Sequence, residues 1–158
     1  MEKINETLKN IGEAIDKIKN KECKIVFLSP DTKGTARASV AYIYRQAMTL
    51  KNNGYNVSIL HEKNDYIKPG GWLGEEFDTL EHTSIENNDL KVGPQDFIVV
   101  PEIYGNVFEQ IQQLPIDKVI LVQAYDYLLD SFSPGSSWVN FDVNECITTS
   151  KAVADMLD

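Results

Sequence analysis

The residues best suited to chemistry begin at Ser29-Pro-Asp-Thr-Lys-Gly34 and run on to Arg37. Pro30 stops an apolar run, and Gly34 lets the backbone turn tightly or approach a ligand closely. Lys33 and Arg37 flank that glycine where a helical period begins. A cation in a first helical turn opposes the helix dipole, which already places partial positive charge there. In a chain of net charge -9, two cations at this place have two readings. With the N–H groups of the helix start they receive a phosphate or carboxylate, or they are solvated surface side chains. A single glycine does not decide between the two. Other polar residues stand just after apolar runs: His61-Glu62, Glu102–Tyr104, Gln123–Asp126 and Ser150.

The apolar runs themselves explain that placement. Cys23 to Leu28 is rich in Val, Ile and Phe and reads as a buried strand. From Thr35 to about Asn53 the period becomes helical. Ala36, Val40, Ile43, Ala47 and Leu50 form a stripe that Ala41, Tyr44 and Met48 widen, and Asn52-Asn53-Gly54 supplies the stop. Val57–Leu60 is the next strand, so the segment is a βαβ unit. Further strands are expected near 77–80, at Asp96–Val100, at Lys118–Val122 and at Cys146–Thr149. Helices are expected over Tyr104–Leu114 and Leu128–Phe132, and after Ser150, a good N-cap. Alternation of this kind predicts an α/β fold, a Rossmann-like three-layer domain with a mainly parallel sheet spanning 22–158. In such sheets ligands bind outside the carboxyl ends of the strands, where strand order reverses. The polar residues named above therefore should meet along one rim.

Residues 1–21 read as a separate amphipathic helix. Ile4, Leu8, Ile11, Ile15 and Ile18 make a heptad seam, fit to dock on the domain or to pair two copies as a homodimer. The polar stretch from His61 to Gln95 is long for a structureless loop. Within it Trp72 sits among Gly70, Gly71 and Gly74, either as a mobile aromatic platform for a flat ligand or as a plug at the domain edge. His61 and His82 have no partner visible in the sequence and read as surface or satisfied histidines. Cys23 and Cys146 read as reduced core residues.

Several functions are excluded or disfavoured. The acidic balance argues against nucleic acid or an anionic membrane as partner. No stretch has the length of a transmembrane segment and no signal peptide is visible, so a cytoplasmic location is expected. The chain contains no G-x-G-x-x-G, no G-x-x-x-x-G-K-[ST], no G-x-S-x-G and no His/Cys cluster. Flavin or nicotinamide binding is thereby disfavoured, and no metal site is expected.

The order of these segments resembles a known family. The Gly34–Arg37 loop, the Asn-Asn-Gly-Tyr-Asn-Val57 turn, Asp96-Phe-Ile-Val-Val-Pro-Glu102, Val119-Ile-Leu-Val-Gln123 and Ile147-Thr-Thr-Ser150 follow one another as in the N-terminal domain of GT-B fold glycosyltransferases, closest to the retaining family 4 type. The family often shows paired glycines in the first loop, whereas here Lys33 precedes a single Gly34. The resemblance implies an acceptor-side domain of a nucleotide-sugar-dependent glycosyltransferase of the hexosyltransferase type. It implies a carbohydrate or glycan acceptor and a nucleotide-sugar donor as substrate, with no cofactor and no metal required. Gly34, Thr35 and Arg37 would match the first loop; Glu102, Tyr104, Gln123, Tyr125 and Asp126 would line the acceptor side. No catalytic residue is carried over. The donor-binding C-terminal GT-B domain, absent from these 158 residues, would come from further sequence or a partner chain, and the chain alone should transfer no sugar. The alternative expectation is a non-catalytic α/β interaction or regulatory module that binds a small anionic ligand.

Overall fold

The computed structural model describes residues 22–143 and 145–157. The helix expected over 1–21, and dimerisation through it, lie outside the described residues. Six strands form one sheet, all parallel: β1 (Lys24–Leu28), β2 (Asn56–His61), β3 (Glu81–Ser84), β4 (Phe97–Pro101), β5 (Asp117–Val122) and β6 (Glu145–Thr148), in the order β3-β2-β1-β4-β5-β6. The domain is thus α/β and Rossmann-like, as the alternation predicts. Helix α1 (Ala38–Asn52) lies over one face, where Val40, Ile43, Tyr44 and Ala47 meet Phe27, Ile59 and Val99. The other face is covered by α2 (Gly105–Ile111), α3 (Tyr125–Ser131) and α4 (Lys151–Leu157), through Phe108, Leu128, Val153 and Leu157. The central strands are apolar on both faces because both are covered.

Local chemistry sets several element ends. Helix α1 closes in a Schellman arrangement: Gly54 adopts φ +86°, its N–H donates to the Lys51 carbonyl at 2.9 Å, and the Tyr55 N–H donates to that of Leu50 at 3.1 Å. Ser150 Oγ accepts from the Val153 N–H at 3.3 Å, the expected N-cap of α4. Asp96, buried ahead of β4, accepts the Lys24 N–H on one carboxylate oxygen and the Gly93 N–H on the other, each at 2.7 Å. That carboxylate joins the starts of β1 and β4.

Four expectations need correction. Helix α1 starts at Ala38, and Thr35 and Ala36 remain exposed loop residues. Residues Glu75–Thr79 form a 3₁₀ turn, and the strand comes just after it, at Glu81–Ser84. The helix expected over Tyr104–Leu114 is a 3₁₀ turn at Glu102–Tyr104 followed by α2, and Leu114 is exposed beyond it. Cys23 is a core residue but Cys146 is exposed, on β6 at the edge of the sheet. Trp72 packs against the α1 core, in keeping with a plug at the edge.

Candidate functional site

Strand order reverses between β1 and β4, so the loops after these two strands diverge to opposite faces and leave a crevice between them. A cleft of about 400 Å³ lies there. Pro30 comes from the loop after β1, and Pro101, Glu102 and Ile103 from the end of β4. Gln123 and Ala124 follow β5, and Thr149 follows β6. Ala38, Ser39, Tyr42 and Ile43, from the first turns of α1, form one wall. Tyr127 of α3 stands at the mouth, 59% exposed.

Glu102 reaches the cleft but points its charge inward. It is 3% exposed, and its Oε1 accepts the N–H groups of both Gln123 at 3.1 Å and Ala124 at 2.9 Å. A carboxylate between two N–H groups is a charge-assisted fastener. It fixes the turn after β5 to the end of β4. Gln123 is also a tie: its Nε2 donates to the Ser39 carbonyl at 3.1 Å, and its own carbonyl accepts from Thr149 Oγ1 at 3.4 Å. Helix α1, β5 and β6 are thereby joined across the floor of the cleft.

The first loop is arranged otherwise than its cations suggest. Lys33 adopts φ +52° and Gly34 φ +79°. The Lys33 ammonium is paired with Asp31 at 2.8 Å and Asp65 at 3.5 Å. Partial burial pulls the Asp31 carboxyl upward, but Lys33 and the N–H groups of Lys33 and Ile67 outweigh it and hold it below its ordinary value. Arg37 is the N-cap of α1 and is exposed, without a side-chain cap bond. Thr35 is exposed too, with its N–H donated to the Thr32 carbonyl at 3.0 Å.

Beside the cleft, sharing Pro30, lies a second hollow of about 260 Å³ lined by Asp31, Lys33, Glu62, Lys63, Tyr66 and Tyr104. Burial first, and then the Glu62 carboxylate that takes its hydrogen bond, raise the Tyr104 phenol well above its ordinary value, so it stays a neutral donor. Tyr125 faces elsewhere. It lines a third hollow, about 480 Å³, with Leu128, Phe132, Trp138 and Met156, where no other strand-end residue reaches. Asp126 is exposed in the first turn of α3.

Of the eight residues expected at one rim, Glu102 and Gln123 line the switch-point cleft and Tyr104 lines its neighbour. Gly34, Thr35 and Arg37 stand on the adjoining loop. Tyr125 is directed away, and Asp126 lines none of the three hollows described. Tyr42, Ser39, Tyr127 and Thr149 were missed. Helical geometry supplies a signal for three of them. Residues two apart on a helix point about 200° apart, so Tyr125 and Tyr127 cannot share a cleft. Ser39 and Tyr42 are three apart and share a face. Comparison with protein-family models, curated proteins and solved structures gave no match.

Proposed function

We propose that this is the acceptor-side domain of a nucleotide-sugar-dependent glycosyltransferase, the donor side being supplied by a further domain or a partner chain. The observation that carries the reading is the chemistry of the switch-point cleft. Among the described residues neither a lysine nor an arginine lines it, and its one carboxylate is committed to two backbone N–H groups. What remains is two tyrosines, the hydroxyls of Ser39 and Thr149, the Gln123 amide and apolar surface from Ala38, Ala124 and Ile103. A neutral, hydroxyl-rich ligand with an apolar face suits such a surface, and a sugar is that kind of ligand. The first loop weakens the alternative of a small-anion module, since Lys33 is already paired with Asp31 and Asp65, leaving exposed Arg37 as the loop's other cation.

The test is an amide NMR titration of the chain with neutral mono- and oligosaccharides and, separately, with inorganic phosphate. Saccharide should shift the amides of Ser39, Gln123 and Tyr127, and Tyr127→Ala, at an exposed position, should weaken binding about tenfold or more. Saturable phosphate binding at the first loop, with every saccharide inert, overturns the reading in favour of the anion module. Turnover of a nucleotide sugar by this chain alone overturns the division into acceptor and donor sides.

A further inference from the structure

His61 and His82, unpaired in the sequence, meet in the fold. His61 ends β2 and His82 lies in the neighbouring edge strand β3, on the same face of the sheet. Their rings are joined at 2.9 Å between His61 Nε2 and His82 Nδ1. Tyr66 lies flat on His61, centroids 3.8 Å apart and planes 4° from parallel, and His61 is 1% exposed. One proton fits between the two rings. The two outer nitrogens, His61 Nδ1 and His82 Nε2, are both buried without a hydrogen-bond partner. With one proton between the rings and each ring neutral, one of these outer nitrogens carries an N–H and the other is a buried bare acceptor.

The residues just after His61 reach the first loop. Lys33 pairs with Asp65, the Ile67 N–H donates to Asp31 Oδ1 at 3.5 Å, and the Ile67 side chain lies nearest the open side of Gly34. Tyr66, between them, is both the lid of the histidine pair and a wall of the hollow that holds Asp31 and Tyr104.

We propose that the His61–His82 pair is a proton-operated latch: while it shares a single proton, residues 62–68 are held against the Gly34 loop, and a second proton releases them. The second proton must go to the bare outer nitrogen, which has no acceptor to donate to, or break the bond between the rings. Both outcomes place charge in a buried site. The groups around the pair do not offset this. Asp31 favours the charged His61 ring, but burial, His82 and Lys68 oppose it; around His82, burial and Lys68 oppose the charge while Asp78 favours it. Burial, followed by His82, lowers His61 from an ordinary 6.5 to about 4. On the order of a hundredfold preference for the neutral ring in the closed arrangement follows from that, and the same factor drives opening once the ring is charged. The latch does not depend on which ligand the cleft binds.

The experiment is a pH titration by NMR of the full chain, following the histidine imidazole nitrogens and the amides of Gly34, Tyr66 and Ile67. The amides should move with the midpoint of His61, well below 6.5. In His61→Phe, which keeps the stacked ring and removes the proton site, the step at the wild-type His61 midpoint should vanish, leaving only movements that track His82 and, at lower pH, Asp31. In Tyr66→Ala the His61 midpoint should rise toward 6.5 as water enters, and the Gly34 amide should cease to follow it. Gly34 and Ile67 amides that ignore the His61 midpoint, or that move alike in wild type and His61→Phe, overturn the latch. Should the Phe variant not fold, an unchanged His61 midpoint in Tyr66→Ala overturns it instead.

Discussion

Glu102 is where the structure makes its sharpest demand. Its carboxylate lies in the cleft by position, yet its accepting oxygen holds the N–H groups of Gln123 and Ala124 at 3.1 and 2.9 Å. Glu102→Ala would leave both donors without that partner beside a 3% exposed site. A hydrogen bond to a charged group contributes about 1.5–3 kcal/mol, so losing two costs about 3 kcal/mol or more. Glu102→Gln keeps a carbonyl oxygen where Oε1 stands and loses only the charge, costing about 1 kcal/mol. In urea, with a slope of about 2 kcal/mol per molar, the Ala variant should unfold roughly 1.5 M earlier and the Gln variant about 0.5 M earlier, with unchanged slopes. Saccharide titration of the Gln variant should resemble wild type, because the carboxylate is spent on the backbone. Equal stability of Glu102→Ala and Glu102→Gln, joined to loss of ligand binding in both, would refute the reasoning and return Glu102 to the ligand.

Two further outcomes are expected. At Gly105 an added Cβ would stand 2.7 Å from the Ser131 carbonyl oxygen, a backbone atom that cannot swing aside. Gly105→Ala should therefore push α3 away from the turn after β4 and cost about 2 kcal/mol in thermal unfolding; a midpoint within a degree of wild type would count against the packing described. Stability should also fall in mild acid. Between pH 6.5 and about 4 the unfolded His61 binds a proton that the folded ring does not, so unfolding becomes easier as pH falls through that window, by at most about 3 kcal/mol. His82, lowered likewise, adds in the same direction, and Asp31, held low, adds its loss at still lower pH. Urea melts at pH 7 and 5 should show a smaller difference for His61→Phe than for wild type, and parallel declines would remove His61 as the cause.

The sequence by itself determined the layers and most of the element order. Apolar runs such as Phe97–Pro101 and the stripe Val40, Ile43, Ala47 are periodic signals written along one stretch of chain, and local chemistry at Gly54 and Ser150 closes helices without reference to anything distant. The same locality explains why the carboxyl ends of the strands could be expected on one side of the sheet: parallel strands all deliver their ends to one side. It also explains where the signals failed. The strand at Glu81–Ser84 carries no apolar run, since it lies at a sheet edge and holds His82 and Thr83.

Only the tertiary structure decided what each rim residue does. Lys33 has a local partner in Asp31 at 2.8 Å, but its second, Asp65 at 3.5 Å, stands thirty-two positions away and is supplied by the fold. Whether Glu102 faces a ligand depends on the turn at Gln123, and whether the two histidines are idle depends on the register of β2 against β3. These are pairings across the sheet, and charge, hydrogen bonding and burial act through space without regard to separation along the chain. A residue's type can be read where it stands; its partner is supplied by the strand that happens to lie beside it.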